Sequence, residues 1–199
     1  MRRTVLSFLV MAGIAATLAL PAFAQSTEGP PEYEYKLLAT KKTSTMQKEL
    51  NMMAVEGYRF EGVMGGETSF GGNETVSIMG RPKNGEHRAR YSYKLLATNK
   101  TSTMQKEMQE MGNEGFEYRG QTVFETAFGG KEVVVILERD TDAPAERWIY
   151  KLLATKKTST MQKELAEAAT EGFQFVGVTV AETSFGGNEV VSIMRRKAP

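Results

Sequence analysis

Apolar and polar residues follow the same change of period three times along this chain. In the first copy, apolar residues alternate from Tyr33 to Thr40, which predicts a β-strand. The next apolar residues recur at helical spacing and predict one face of an α-helix: Met46, Leu50, Met53 and Ala54. Alternation then returns for two further runs, as at Val190 to Met194 in the third copy. Each copy is therefore predicted to fold as strand–helix–strand–strand.

Signals for the ends of these elements occur in the same order. Ser44 with Gln47 three residues later matches a capping box, in which side chains bind free N–H groups at a helix start. Gly57 follows the helix, at the place where a left-handed residue commonly ends one. The pair Gly186 and Gly187 predicts a hairpin turn between the last two strands, because glycine accepts a positive φ.

Close repetition makes these copies three tandem units of one fold. The hexapeptide that begins at Tyr35 returns at Tyr93 and again at Tyr150. The predicted segments are a signal peptide at 1–24, a polar leader at 25–32, repeat 1 at 33–82, a linker at 83–90, repeat 2 at 91–140, a linker at 141–147 and repeat 3 at 148–199. We expect an α+β fold in which each β-α-β-β repeat is a three-stranded sheet with one helix on one face. The other sheet face is apolar as well, so the repeats are expected to pack together.

The N-terminal segment predicts export. Arg2 and Arg3 precede an apolar run, and Ala22-Phe23-Ala24 matches a small-x-small cleavage site. We therefore expect a periplasmic or secreted protein without a membrane span after cleavage. The chain has 25 basic and 24 acidic residues, a balance that leaves no excess of positive charge for phosphates and predicts no nucleic-acid partner. It has no cysteine, which excludes disulfides, thiol nucleophiles and zinc–thiolate sites.

Short motifs in each copy resemble those of a known family. The motifs are the Tyr-Glu-Tyr-Lys-Leu-Leu of the first strand, Leu50-Asn51 and Glu56-Gly57-Tyr58 around the helix end, and a terminal Arg81. They resemble a family of small bacterial domains of unknown function, which usually has tryptophan where this chain has Tyr58, Phe116 and Phe173. The resemblance implies a β-α-β-β fold and brings no catalytic residues with it.

A Lys-Thr-Ser-Thr segment at each predicted helix start is the candidate binding site. From Tyr35 to Glu49, the second copy differs from the first only at Asn99 and the third does not differ. Free N–H groups, the positive end of the helix dipole, hydroxyls and a lysine together favour an anion. The candidate residues are Lys42, Thr43, Ser44, Lys100, Thr101, Ser102, Lys157, Thr158 and Ser159. Ordinary helix capping explains the same segments without any ligand.

Features that suggest an enzyme are weaker. His87 is the single histidine and lies in a linker without a counterpart in the other copies, so it supports no triad or metal site. Paired glutamates recur on either side of the hairpin turn: Glu67 with Glu74, Glu125 with Glu132, and Glu182 with Glu189. Carboxylate pairs can perform acid–base chemistry, but these are expected to be exposed strand ends.

We thus expect an exported, non-enzymatic binding or interaction module of the bacterial envelope, without a cofactor or metal. Its expected partner is an envelope protein or a small anionic ligand. The alternatives are a small-anion or glycan binder that uses the three helix starts, and a hydrolase that uses the hairpin glutamates.

Overall fold

The structure, a computed structural model, describes residues 31–68, 72–98, 100–125, 131–144, 146–182 and 188–199. Its elements in chain order are β1 Tyr33–Thr40, α1 Thr43–Val55, β2 Arg59–Thr68, β3 Gly72–Pro82, β4 Tyr91–Thr98, α2 Thr101–Asn113, β5 Glu117–Glu125, β6 Lys131–Asp140, β7 Trp148–Thr155, α3 Thr158–Thr170, β8 Gln174–Glu182 and β9 Asn188–Lys197. The predicted strand–helix–strand–strand order is confirmed in all three repeats.

Each repeat forms its own antiparallel sheet, with the third strand of the repeat in the middle. We call these sheet 1 (order β1-β3-β2), sheet 2 (β4-β6-β5) and sheet 3 (β7-β9-β8). The first strand therefore lies at an edge of each sheet, where one row of its N–H and C=O groups has no strand partner. The second strand has a register shift in every repeat, first between Phe60 and Gly62. The predicted α+β fold, with three similar sheets that pack together, is confirmed.

The C-terminal ends of the helices are as predicted, whereas the predicted N-terminal cap is not observed. Gly57, Gly115 and Gly172 follow the three helices with φ of 85°, 85° and 84°, as predicted. The capping box is wrong, because the N-cap residue of α1 is Lys42 and makes no side-chain cap hydrogen bond. The Lys42 N–H group instead donates to Thr40 Oγ1 at 3.3 Å. The predicted turn glycines Gly186 and Gly187 lie outside the described residues.

The two faces of each sheet have different neighbours. We call the face that carries the repeat's own helix the inner face, and the opposite one the outer face. In sheet 1, Leu38 and Met79 are on the inner face, whereas Tyr35, Leu37 and Ile78 are on the outer face. Because side chains alternate along a strand, the same assignment holds at matching positions of sheets 2 and 3.

The helices α1 and α2 each lie between two sheets. Buried Met46 and Leu50 of α1 pack on the inner face of sheet 1 and also on the outer face of sheet 2. Sheet 2 contributes Tyr93, Phe124, Val134 and Ile136 to this core. The helix α2 lies in the same way between sheets 2 and 3, against Tyr150 and Ile193. The cluster around α3 holds residues of repeat 3 alone, so the layers run sheet 1, α1, sheet 2, α2, sheet 3, α3.

This layering predicts that a single repeat is not stable alone. A fragment spanning 148–199 would expose Tyr150 and Ile193, which repeat 2 buries in the whole chain. A unit of about 50 residues buries too little surface to compensate for that loss. We expect the fragment to lack a sharp thermal transition by circular dichroism or to self-associate in sedimentation. A monomeric fragment with a cooperative transition would contradict the prediction.

Candidate interaction surface

Amide side chains of α1 bind the free edge of the next repeat's first strand. Gln47 Oε1 accepts a hydrogen bond from the Leu95 N–H group at 2.9 Å. Asn51 bonds to both main-chain groups of Tyr93, accepting from its N–H group at 2.9 Å and donating to its C=O group at 3.0 Å. These bonds satisfy edge groups of β4 that no strand pairs.

The same arrangement recurs between repeats 2 and 3. Gln105 accepts from the Leu152 N–H group at 2.8 Å and donates to the Tyr150 C=O group at 2.9 Å. Gln109 accepts from the Tyr150 N–H group at 3.0 Å and donates to the Trp148 C=O group at 3.1 Å. We call these two sets of bonds the amide clamps. The sequence pattern predicts a capping role for Gln47. The group that it binds, the Leu95 N–H group, is 48 residues away in the chain and is not indicated by any local pattern.

A buried tyrosine completes each junction between repeats. The Tyr93 hydroxyl accepts from the Phe60 N–H group and donates to Glu138, both at 2.8 Å. The Tyr150 hydroxyl accepts from the Tyr118 N–H group at 2.7 Å and donates to the Phe116 C=O group at 3.0 Å. Burial raises the pKa of Tyr150, and burial followed by the Glu138 charge raises that of Tyr93.

Each junction has an ion pair at the same two positions, and the positive and negative residues exchange places between the two junctions. Arg59 binds Glu138 at 2.8 Å between repeats 1 and 2. Burial opposes the charge on Arg59, but its hydrogen bond and attraction to Glu138 raise its pKa overall. Between repeats 2 and 3, the matching positions hold Glu117 and Arg195, which pair at 2.5 Å. A wrong pairing of repeats would place like charges together, so these pairs favour the observed order.

The repeats differ in how far the outer face of their sheet is exposed to solvent, and that of sheet 1 is the exposed one. Tyr35 is 57% exposed, whereas Tyr93 and Tyr150 at the matching positions are 2% and 3% exposed. Leu37 beside it is 70% exposed. We define the head face as the exposed large apolar residues of this outer face: Tyr33, Tyr35, Leu37, Met64 and Ile78. No described helix covers it, since α1 lies on the inner face.

The opposite end of the stack is open as well. Three apolar side chains on the inner face of sheet 3 are exposed: Phe175, Val178 and Val180. The side of α3 that corresponds to the clamping side of α1 is also uncovered, with Gln162 at the position of Gln47 and exposed. Ala166 stands where Asn51 makes its clamp and is exposed too. We define the tail face as these three sheet residues together with this side of α3.

The structure places the predicted anion-site residues at the helix starts, and two of them meet carboxylates of the chain. Thr43 donates to Glu132 at 3.0 Å, and Thr101 donates to Glu189 at 2.8 Å. Each glutamate belongs to the following repeat. Thr158 is exposed, and the remaining predicted residues are exposed at the helix starts: Lys42, Ser44, Lys100, Ser102, Lys157 and Ser159. External anion binding stays a prediction, and at the first two sites an anion would compete with a carboxylate.

Among the enzymatic candidates, the structure describes the surroundings of His87. His87 is exposed, and its Nε2 atom lies 3.0 Å from the Pro82 carbonyl oxygen. Among the residues that the structure describes, no group of three or more His, Cys, Asp or Glu could hold a metal ion. The side chains of Glu67, Glu125 and Glu182 lie outside the described part, so the predicted carboxylate pairs stay predictions.

Comparison with family models, curated proteins and solved structures gives no match. None of the described helices is both long and apolar enough to cross a bilayer. One feature of the family resemblance has a structural counterpart, because the terminal arginine of each repeat stacks on the aromatic residue after the helix. The distances from the guanidinium carbon to the ring centroid are 4.2 Å for Arg81 and Tyr58, 5.4 Å for Arg139 and Phe116, and 5.0 Å for Arg196 and Phe173.

The amide clamp predicts unequal effects of one substitution at equivalent positions. Gln105→Ala removes two bonds to part-buried edge groups and should lower the free energy of unfolding by about 1–3 kcal/mol. Gln162→Ala is the matched control, because Gln162 is exposed, and should change it by less than about 0.5 kcal/mol at low protein concentration. Urea unfolding measures both, and equal effects would contradict the clamp.

The buried tyrosines predict a loss of stability in alkali. Their pKa values are raised in the folded state, so above about pH 10 the unfolded chain loses phenol protons that the folded chain keeps. Stability is therefore complete below that pH and falls as pH rises. Tyr150→Phe should flatten the fall in urea unfolding between about pH 8 and 11, and Tyr35→Phe, at an exposed position, should not. A flat profile for the unsubstituted chain would show the prediction to be wrong.

Proposed function

We propose that the protein is an exported, non-enzymatic interaction module of the bacterial envelope, and that the head face is its binding surface. One observation carries the proposal: β1 repeats the sequence of β4 and β7 from Tyr35 to Thr40, and a helix of the preceding repeat covers the outer face of those two strands, whereas none of the described helices covers the outer face of β1. The exposed residues are contiguous across β1, β2 and β3. A large apolar patch of this kind on a protein surface commonly marks an interaction site.

The covered faces of sheets 2 and 3 indicate which partner the head face fits. Each receives an α-helix that presents an apolar stripe and two amide side chains. The amides bind edge N–H and C=O groups at the positions of Tyr35 and Leu37. The partner is therefore a protein with an amphipathic helix, which docks by its apolar side and bonds to the strand edge with Gln or Asn.

Export and kinship belong to the same proposal. Export is supported by the sequence from Met1 to Ala24, which lies outside the described residues. Kinship with the small bacterial β-α-β-β family is supported by the repeated fold and by the arginine–aromatic pair in each repeat. The non-enzymatic part is supported by the threefold recurrence of the candidate residues, because an enzyme usually needs one asymmetric site.

The alternatives have less support. An anion or glycan binder would use the helix starts, but Glu132 and Glu189 already lie at Thr43 and Thr101. A hydrolase would use the hairpin glutamates, and two of these, Glu132 and Glu189, accept hydrogen bonds at a junction between repeats.

Photo-crosslinking in the native host tests the proposal. A photoreactive residue at Leu37 should crosslink to a protein in the envelope fraction, because this side chain would lie in the interface. The control is the same residue at Glu167, which is exposed on α3 in a polar setting and should give no crosslink. The proposal fails if Leu37 and Met64 both give no crosslinked protein, or if the chain fractionates with the cytoplasm.

A further inference from the structure

The geometry points to a second copy of this chain as the occupant of the head face, docked by its tail face. This inference rests on the proposed function, since it identifies the partner that the head face binds. Repeats 1 and 2 already join in this way within the chain, and so do repeats 2 and 3. The junction between copies would continue the same series of layers.

The two ends match the internal junctions position by position. Gln162 of α3 stands where Gln47 and Gln105 bind the strand edge, and Leu37 of β1 stands where the N–H groups of Leu95 and Leu152 donate that bond. Met161 and Leu165 take the positions of Met46 and Leu50, which are fully buried in α1. In α3 both are only partly buried, as expected for a helix with a sheet on one side.

Apolar surface is available on both sides of this junction. The head face offers Tyr35, Leu37 and Met64, and the tail face offers Phe175 and Val178. In the internal junctions the position of Phe175 holds Phe60 and Tyr118, both of which are buried, and that of Val178 holds the half-buried Val63 and Gln121. Covering the two ends with each other would remove this surface from water on both copies at once, which is the main favourable term in association.

Charge does not oppose the docking. The internal junctions contain an ion pair at matching positions, Arg59 with Glu138 and Glu117 with Arg195. At the ends, these positions hold Gln174 on the tail and Gly80 on the head. Neither of these two positions therefore places a charge in the junction, where a buried charge without a partner would oppose association; the nearby Glu61 beside Gly80 is exposed in the free chain. The whole chain carries a formal net charge of +1, so long-range repulsion between copies is small.

The junction between copies is expected to be weaker than those within the chain. Ala166 replaces the amide of Asn51 and Gln109, so one half of the clamp is lost. Docking between copies also costs translational and rotational freedom that a linker saves inside the chain. Because head and tail are different surfaces, the contact is heterologous and produces rings or open chains of copies rather than a dimer with the same surface on both sides.

Complementation between two blocked variants tests the inference on the full chain. Leu37→Glu blocks the head and leaves the tail, and Val178→Glu blocks the tail and leaves the head. The unsubstituted chain should show a weight-average mass in sedimentation that rises with concentration above the mass of one copy. Each variant alone should stay at the mass of one copy. Their equimolar mixture should form a one-to-one dimer, with twice the mass of either variant.

Controls separate this result from misfolding and from other occupants. Val55→Glu changes an exposed apolar residue of α1 outside both faces and should leave the association unchanged. Circular dichroism should show that all variants melt cooperatively, and a variant that does not is replaced by Met64→Glu for the head or Phe175→Glu for the tail.

Four outcomes would overturn the inference. The first is an unsubstituted chain that stays monomeric up to millimolar concentration. The second is association of the tail variant alone, which would indicate head-to-head contact. The third is a mixture with the mass of one copy, and the fourth is a crosslink from Leu37 to the first 30 residues of its own chain. If Leu37 crosslinks in the envelope only to a different protein, the proposed function stands and the second copy is excluded.

Discussion

The clamp between a helix and the edge strand of the next repeat is the interaction on which the rest of the structure depends. An edge strand has unpaired N–H and C=O groups, and a sheet with two apolar faces needs a cover on each. One helix meets both needs, because its apolar side chains cover the outer face while Gln47 and Asn51 bond to the edge. Each repeat thus completes its neighbour, which explains how short units without disulfides form one body.

This dependence also accounts for part of the close repetition in sequence. Thr43 and Thr101 are at helix starts where capping alone would leave them easy to exchange. Both instead donate to a glutamate of the next repeat, so the segment serves a junction as well as a helix. Gln47 and Gln105 are kept for the same reason. The exposed lysines Lys42 and Lys100 have no such partner in the described structure, and their repetition is not explained by packing.

A chain of repeats must end, and the two ends of this one differ in character. In the tail face Gln162 keeps the amide of the internal clamps, but the small Ala166 replaces the amides of Asn51 and Gln109, a change in the direction of a cap on a repeat protein. The head face has no such adjustment, because β1 keeps the tyrosine and leucine that are buried elsewhere. The functional proposal follows from this asymmetry and not from any catalytic group.

The sequence by itself determined the local elements and the tandem order. Alternation predicted the strands, helical spacing predicted the face of Met46 and Leu50, and Gly57 predicted the helix end, because each depends on residues near one another in the chain. It also indicated that both sheet faces are apolar. Only the tertiary structure decided what covers each face, since the period of a pattern shows that a side is buried but not by which element. Contacts between repeats decide three features: the partner of Gln47, the ion pairs whose charges exchange places between the two junctions, and the exposure of Tyr35. Identical local sequences cannot reveal such contacts. Tyr35 and Tyr93 lie in the same local sequence, but Tyr93 follows another repeat whose helix covers it, whereas Tyr35 belongs to the first repeat.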